Sequence, residues 1–229
     1  MSQRVFLTGA TGYLGSAIGA RLVRGGREVI GLTRSEDRVP WLESLGMTVV
    51  VGSLDQPDAW IGRLKNADAV VHAALDPQDP AAADQRLLEA VRAAMTDGRV
   101  KRLLYTSGVW VHGASGERVI DESTPLEPLA ASRWRAAHEE VALDYAENGL
   151  ETVILRPGIV YGESRGILGA LWREARDLHT VTYPGDGRQH WPLVHRDDVA
   201  EACLLALEHA RPGSRFLLVD ESRHTVREI

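Results

Sequence analysis

Val5-Phe6-Leu7-Thr8-Gly9-Ala10-Thr11-Gly12-Tyr13-Leu14-Gly15 runs from an apolar, strand-like stretch straight into three glycines spaced three apart. A helical pattern over residues 16–24 follows at once. Gly9 permits a tight turn, Gly12 lets backbone N–H groups approach a pyrophosphate, and Gly15 allows close packing of helix on strand. The helix N-terminus points its free amides and the positive end of its dipole at the phosphates. Three spaced glycines alone describe any tight strand–helix turn. The strand before and the helix after make this one a dinucleotide-binding loop, with Gly9, Thr11, Gly12, Tyr13 and Gly15 on its phosphate side.

Outward from this loop, short β-branched runs alternate with helical stretches, the pattern of strand–helix–strand units and a parallel sheet. Strands are expected over residues 4–8, 28–33, 47–51, 69–72, 102–106, 152–156 and 215–219. Several are apolar without alternation, as befits strands covered on both faces. Helices are expected near 13–25, 37–45, 57–65, 80–97, 130–148, 166–177 and 197–210. In the fifth of these, Trp134, Ala137, Val141 and Tyr145 share one face at helical spacing, which predicts a core face. Gly98, Gly149 and Gly213 stand just past helix ends, where a left-handed cap favours glycine. Residues 157–196 are broken up by Gly162, Gly166, Pro184, Gly185, Gly187 and Pro192. Loops beyond the carboxyl ends of parallel strands build the substrate side of such sites. The expectation is an α/β fold: one Rossmann-like, doubly wound parallel sheet over 1–229, with a small substrate-side cap from 157–196.

Composition narrows the class without naming a chemistry. The chain has 229 residues, 44% of them hydrophobic, and a net charge of −6. That length can bury a substantial core. No apolar run approaches the roughly 18 residues of a membrane span. The arginines are scattered singly, with no electrostatic footprint for nucleic acid or anionic lipid. Cys203, the one cysteine, cannot form an internal disulfide and lies in the apolar stretch Ala202-Cys203-Leu204-Leu205, so a buried, inert thiol is expected. With no signal-peptide layout ahead of the first strand, a cytoplasmic protein is expected. Two further counts constrain mechanism: lysine occurs only at Lys65 and Lys101, asparagine only at Asn66 and Asn148. The histidines show no zinc-protease spacing and no cysteine partners, so no metal is expected.

The end of the second strand reports on the dinucleotide. Proteins that prefer NAD commonly carry a carboxylate there for the ribose 2′-hydroxyl. Here Glu28-Val29-Ile30-Gly31-Leu32-Thr33-Arg34-Ser35 ends in Thr33 and Arg34 instead. Arginine can pair with a 2′-phosphate and stack on adenine, although an arginine at a strand end is also an ordinary surface residue. NADP is favoured and NAD stays open.

These residues together resemble the extended short-chain dehydrogenase/reductases, the NAD-dependent epimerase/dehydratase group, over essentially the whole chain. Thr8–Gly15 matches the family's glycine motif. Gly52-Ser53-Leu54-Asp55 stands where members carry Gly-Asp-Leu, so the resemblance puts Ser53 and Leu54 beside the adenine. Val70-Val71-His72-Ala73-Ala74 matches the segment beside the adenosine ribose. Leu104-Tyr105-Thr106-Ser107-Gly108-Val109-Trp110-Val111-His112-Gly113 matches the fifth strand, and Leu155-Arg156-Pro157-Gly158-Ile159-Val160-Tyr161-Gly162 the sixth with its nicotinamide-side loop. Val194-His195-Arg196-Asp197-Asp198-Val199-Ala200 resembles the return from the substrate region. Ala73, Ala74, Thr106, Ser107 and Pro157 are thereby expected near the cofactor, a small molecule is the implied substrate, and a homodimer through the fifth and sixth helices is implied. Members usually continue with further substrate-domain structure. Thr225-Val226-Arg227-Glu228-Ile229 reads as the first turn of another helix, so a shortened chain is expected.

The family's proton transfer uses a tyrosine whose pKa is lowered by a lysine four residues later, with a serine or threonine on the substrate oxygen and an asparagine nearby. Matching Glu139 to the family's helix glutamate puts Ala131 at the tyrosine position and Arg135 at the lysine position. Arg135 keeps a positive charge there without being a lysine substitute. The serine position falls on Gly108, one residue beyond Ser107. Asp84 stands for the asparagine, as in an atypical branch that carries aspartate there. Candidates for replacement chemistry are Ser107, which reads equally as a strand-end serine satisfied by backbone, then Tyr161, His112, His190 and His195. Two functions follow. One is an NADP(H)-dependent oxidoreductase or epimerase acting on a small carbonyl, alcohol or sugar derivative. The other is a non-catalytic protein that senses the dinucleotide.

Overall fold

The computed structural model describes residues 2–116 and 118–229. Seven strands form one parallel sheet: β1 (Arg4–Thr8), β2 (Glu28–Thr33), β3 (Thr48–Val51), β4 (Ala69–His72), β5 (Arg102–Thr106), β6 (Glu151–Pro157) and β9 (Arg215–Leu218). Their order is β3-β2-β1-β4-β5-β6-β9. The chain thus winds outward from β1 in one direction, then returns to β4 and winds in the other. The crevice between β1 and β4, where the order reverses, is where open α/β sheets bind ligands.

Successive side chains of a strand face opposite sides of the sheet, and here both sides are buried. Val5 and Leu7 join Val29, Val71, Leu104 and Val153 on one face, under α1 (Tyr13–Arg24) and α7 (Arg196–His209). Phe6, Val70, Leu103 and Ile154 face the other way, under α3 (Ile61–Lys65), α4 (Pro80–Asp97) and α5 (Arg133–Asp144). The expected strands are all present, with ends shifted by no more than a residue or so. The helix expected near 37–45 is a 3₁₀ turn followed by α2 (Val39–Ser44). Cys203 is fully buried and its thiol is pushed up to about 12 by desolvation. No helix among the described residues is long and apolar enough to cross a membrane.

Three expectations are corrected. The face carrying Trp134, Ala137, Val141 and Tyr145 is only partly a core face: Val141 and Tyr145 pack half-buried against the core, Ala137 is exposed, and the fully buried α5 positions are Ala136, His138, Glu139 and Ala142. That innermost face carries charged and imidazole groups, so hydrophobic periodicity points to its flank. Gly149 takes the left-handed cap conformation (φ +87°), but Gly98 ends α4 in an extended one (φ −129°). Glycine is needed at 98 for space, since a Cβ there would sit 2.6 Å from the Lys65 carbonyl oxygen. Gly213 is left-handed (φ +80°) in the turn leading to β9, while α7 ends on an extended Ala210.

The 157–196 region contains a second sheet that was not expected. β7 (Ile159–Tyr161) and β8 (Leu193–His195) pair in parallel, and α6 (Gly166–Leu178) packs on β7. Three-residue strands leave almost no periodic signal. Residues 225–228 form a single turn in which the Glu228 carboxylate accepts from the Thr225 amide at 2.9 Å and from its hydroxyl at 2.9 Å.

Candidate functional site

The glycine loop is shaped by space that side chains would fill. Gly9 is left-handed (φ +69°), and a Cβ on it would lie 2.6 Å from the Ala73 carbonyl oxygen. A Cβ on Gly12 would meet the Gly9 oxygen at 2.9 Å, and one on Gly15 would overlap that same oxygen. The Gly12 amide donates to Gly9 O at 2.8 Å, which closes the turn just before α1 begins. The Tyr13 hydroxyl donates to Gly162 O at 2.8 Å and ties the loop to the far side of the crevice. The Arg165 and Arg196 guanidiniums lie 5.5 and 5.7 Å from the centre of its ring.

Beyond the loop, at the carboxyl ends of β4, β5 and β6, lies a cleft of about 650 Å³. Of the residues expected at the site, Tyr13, Ala73, Ala74, Thr106, Ser107, Arg135 and Pro157 line it together. Gly9, Thr11, Gly12, Gly15, Arg34, Ser53 and Leu54 do not line it. Most of the wall is apolar, with Leu75, Val109, Trp110, Leu129, Ile159 and Ile167 among its residues. Leu75, Trp110, Leu129 and Ile167 are also among the exposed large apolar residues. Tyr13 and Arg135 are the lining residues with ionisable side chains.

Two hydroxyls in this wall are unusual. Thr106 Oγ1 and Ser107 Oγ are buried and have no hydrogen-bond partner among the described residues. A buried polar atom left unpaired costs about 1–3 kcal/mol, which a ligand atom can recover. The reading of Ser107 as satisfied by backbone therefore does not hold for its hydroxyl. Its amide is satisfied, donating to Leu155 O at 2.7 Å, which fixes the residue at the end of β5. Arg135 reaches the same place from α5. Its Nη1 donates to Thr106 O at 3.0 Å, and its guanidinium lies 4.4 Å from the centre of the Trp134 ring. Ala131 also lines the cleft and brings no polar group to it. Ser132, next to it, donates to Trp110 O at 2.9 Å.

Asp84 does not line the cleft. It is the hub of a buried polar network beneath it. Its carboxylate meets His72 Nε2 at 2.5 Å, His138 Nδ1 at 2.8 Å and the Tyr105 hydroxyl at 2.6 Å. His72 Nδ1 in turn meets the Thr8 hydroxyl at 2.7 Å. Five elements, β1, β4, α4, β5 and α5, are thereby joined by one carboxylate. Burial alone would raise the Asp84 pKa, but the His72 charge and the hydrogen bonds from His138, His72 and Tyr105 outweigh it and hold the carboxyl well below its usual range. Burial and the Asp84 charge push the Tyr105 phenol far upward, so it stays a donor. Asp84 thus ties β4, β5 and α5 together from beneath the cleft without facing into it.

A second buried pair flanks the first. Arg156 (1% exposed) donates to both oxygens of Glu139 (0% exposed), the shortest contact being 2.6 Å. Arg156 Nη1 also donates to His112 Nε2 at 3.1 Å, which places the imidazole proton on Nδ1. Burial and the Arg156 charge lower the His112 pKa and favour the neutral ring.

The remaining candidates stand away from the cleft. Tyr161 lies edge-on to His195, ring centres 5.2 Å apart, between β7 and β8. His195 also caps α7, accepting from the Asp197 amide. His190 is exposed and bonded to the Arg223 carbonyl at 2.8 Å. The reading of the second-strand end also missed a residue. Arg34 Nη1 lies 3.2 Å from the carboxylate of Asp76, which arrives from the loop after β4. No local pattern could find that partner, because the two positions are 42 residues apart.

Comparison with known proteins places this geometry. A sequence model described as the NAD dependent epimerase/dehydratase family matches residues 5–218. An uncharacterized protein of Schizosaccharomyces pombe is 32% identical over 235 residues, covering 99% of this chain and 78% of its own length. A 4-hydroxy-2-methyl-3-oxo-4-farnesyl-3,4-dihydroquinoline-1-oxide ketoreductase of Stigmatella aurantiaca is 29% identical, covering 95% of this chain and 68% of its own. Among solved structures, the Thermus thermophilus UDP-glucose 4-epimerase in complex with NAD superposes with a TM-score of 0.81 at 26% identity. It covers 99% of this chain and 80% of the epimerase.

Proposed function

The chain belongs to the NAD dependent epimerase/dehydratase family, and from that premise we propose that it is an NADP(H)-dependent oxidoreductase that reduces a small, largely apolar carbonyl compound. NAD is the second dinucleotide it would take, and the corresponding alcohol the reverse substrate. The observation that carries this reading is the pair of buried, unpartnered hydroxyls, Thr106 and Ser107, in an apolar cleft beside the Arg135 guanidinium. The ketoreductase relative supports a carbonyl substrate. The scarcity of charged lining residues favours a ketone over a sugar nucleotide, whose diphosphate would need cations in the wall.

The residues fit a nicotinamide dinucleotide: without Cβ atoms at Gly9, Gly12 and Gly15 the turn closes tightly on the Ala73 and Gly9 carbonyls, and the start of α1 would offer its free amides to a pyrophosphate. The Ala73, Ala74 and Pro157 walls would hold the nicotinamide end, and Arg34 would meet the 2′-phosphate. When bound, the nicotinamide ring supplies or accepts the hydride. The rest falls to this chain. Ser107 Oγ donates to the substrate oxygen and holds it in place. Arg135, kept at the end of β5 by the Thr106 carbonyl, stabilises negative charge that develops on that oxygen. The apolar wall excludes water from the reacting face, and the proton that neutralises the oxygen comes from water at the open mouth through Ser107. Residues 157–196, with the small second sheet, serve as the substrate-side cap. The buried Cys203 thiol suits a reducing, cytoplasmic setting.

Ala131 favours a second reading, since a methyl group cannot transfer a proton. In that reading the chain binds the dinucleotide and reports its redox state to a partner. Titration with NADPH followed by a panel of apolar ketones separates the two. Oxidation of NADPH that depends on a ketone supports the reductase. Tight NADPH binding with no oxidation across the panel supports the sensor.

A further inference from the structure

Arg34 and Asp76 face each other at the edge of the crevice where the adenosine ribose of a dinucleotide would lie. Arg34 follows the last residue of β2, the position from which folds of this kind read the ribose 2′ substituent. Its side chain is 65% exposed. Asp76 is different. It is 19% exposed and comes from the loop after β4, three residues past Ala73, whose carbonyl abuts Gly9. Asp76 Oδ1 accepts from the Gln78 amide at 2.9 Å, so the carboxylate is pinned by its own turn, and Oδ2 points at Arg34 Nη1 from 3.2 Å. The Gln78 and Asp79 amides and the Arg34 charge hold its pKa below the usual range, so it is ionised at neutral pH.

We propose that Asp76 is a specificity-determining residue that opposes Arg34 in the choice between NADP and NAD, by placing a fixed negative charge at the 2′ position. The inference rests on the dinucleotide reading above. A 2′-phosphate brought to Arg34 must displace Asp76 from the guanidinium and then sit beside a like charge. A 2′-hydroxyl meets neither cost and can donate to a second lone pair of Oδ2 while Arg34 stays paired to it. The carboxylate missing from the end of β2 is thus supplied from the loop after β4, and it restrains the preference for NADP that Arg34 creates. Removing Asp76 and removing Arg34 should move the preference in opposite directions.

Equilibrium binding of NADP+ and NAD+ to the full chain, read by intrinsic tryptophan fluorescence and calorimetry without substrate, tests this. In Asp76→Asn the ratio Kd(NAD+)/Kd(NADP+) should rise about fivefold, the scale of an exposed charge pair. In Arg34→Ala it should fall by a similar factor. Both shifts should shrink at high salt, because exposed charges are screened. An unchanged ratio in Asp76→Asn, while both dinucleotides still bind, overturns the role of Asp76 and leaves the cofactor reading standing. A wild-type chain that binds neither dinucleotide overturns the cofactor reading, and this inference with it.

Discussion

The glycine loop and the cleft wall lie side by side at the carboxyl edge of one sheet, yet they are built on opposite principles. The loop works by absence. At Gly9, Gly12 and Gly15 the structure has room for a backbone carbonyl and none for a Cβ. The wall works by presence: a few polar groups, Thr106, Ser107 and Arg135, stand in an apolar surround, fixed by backbone carbonyls, with charged groups paired in the core nearby. A loop specified by missing side chains leaves a sharp local signature. A wall specified by long-range polar contacts leaves no such signature, and a chain in which no lysine follows Lys101 can keep its frame.

If that contrast is right, the buried pairs behind the wall should be the most costly to break. Glu139→Ala leaves Arg156 charged and unpaired in the core, and should cost about 3–5 kcal/mol of stability in urea unfolding. Replacing both partners together, Glu139→Leu with Arg156→Leu, should recover most of that loss. A double variant as unstable as the single one would show that the pair does more than compensate its own charges.

In the loop, Gly15→Ala should cost about 2 kcal/mol through overpacking against the Gly9 carbonyl. NADPH affinity should fall with it, whereas Glu139→Ala should weaken binding only in proportion to unfolding. Parallel fluorescence titration and urea melts of the two variants would separate these patterns.

The smallest effect concerns acid. Folding holds the Asp84 carboxyl below its ordinary value of 3.8, so its contribution to stability is complete above that pH and is lost as pH falls from there toward the folded value. Urea midpoints measured between about pH 5 and pH 2.5 should therefore fall more steeply for the wild type than for Asp84→Asn. Equal slopes would remove Asp84 from its place at the centre of the network.

The same contrast explains what could be read from the chain alone. The strands, the sheet's winding and the glycine loop were legible because Val5, Phe6 and Leu7 are all apolar and Gly9, Gly12 and Gly15 follow directly. The absence of a tyrosine–lysine pair was legible too, since no lysine follows Lys101. The inner face of α5 was not, because it is lined by His138 and Glu139, whose partners Asp84 and Arg156 come from α4 and β6. Nor was the Arg34–Asp76 contact, which depends on two loops meeting across β1. The second sheet escaped because three residues make too short a period to detect.

The central claim is that an intact dinucleotide frame here serves a catalytic wall in which Ser107 holds the substrate oxygen. The most direct measurement is transfer of deuterium from C4-deuterated NADPH to an apolar ketone, by the wild type and by Ser107→Ala. The wild type should place deuterium on the carbinol carbon. Ser107→Ala should do so about 100-fold more slowly, the typical cost of losing one oxyanion donor, with NADPH affinity unchanged. Tight NADPH binding by the wild type with no deuterium in any product, or equal rates in the two proteins, would contradict the account.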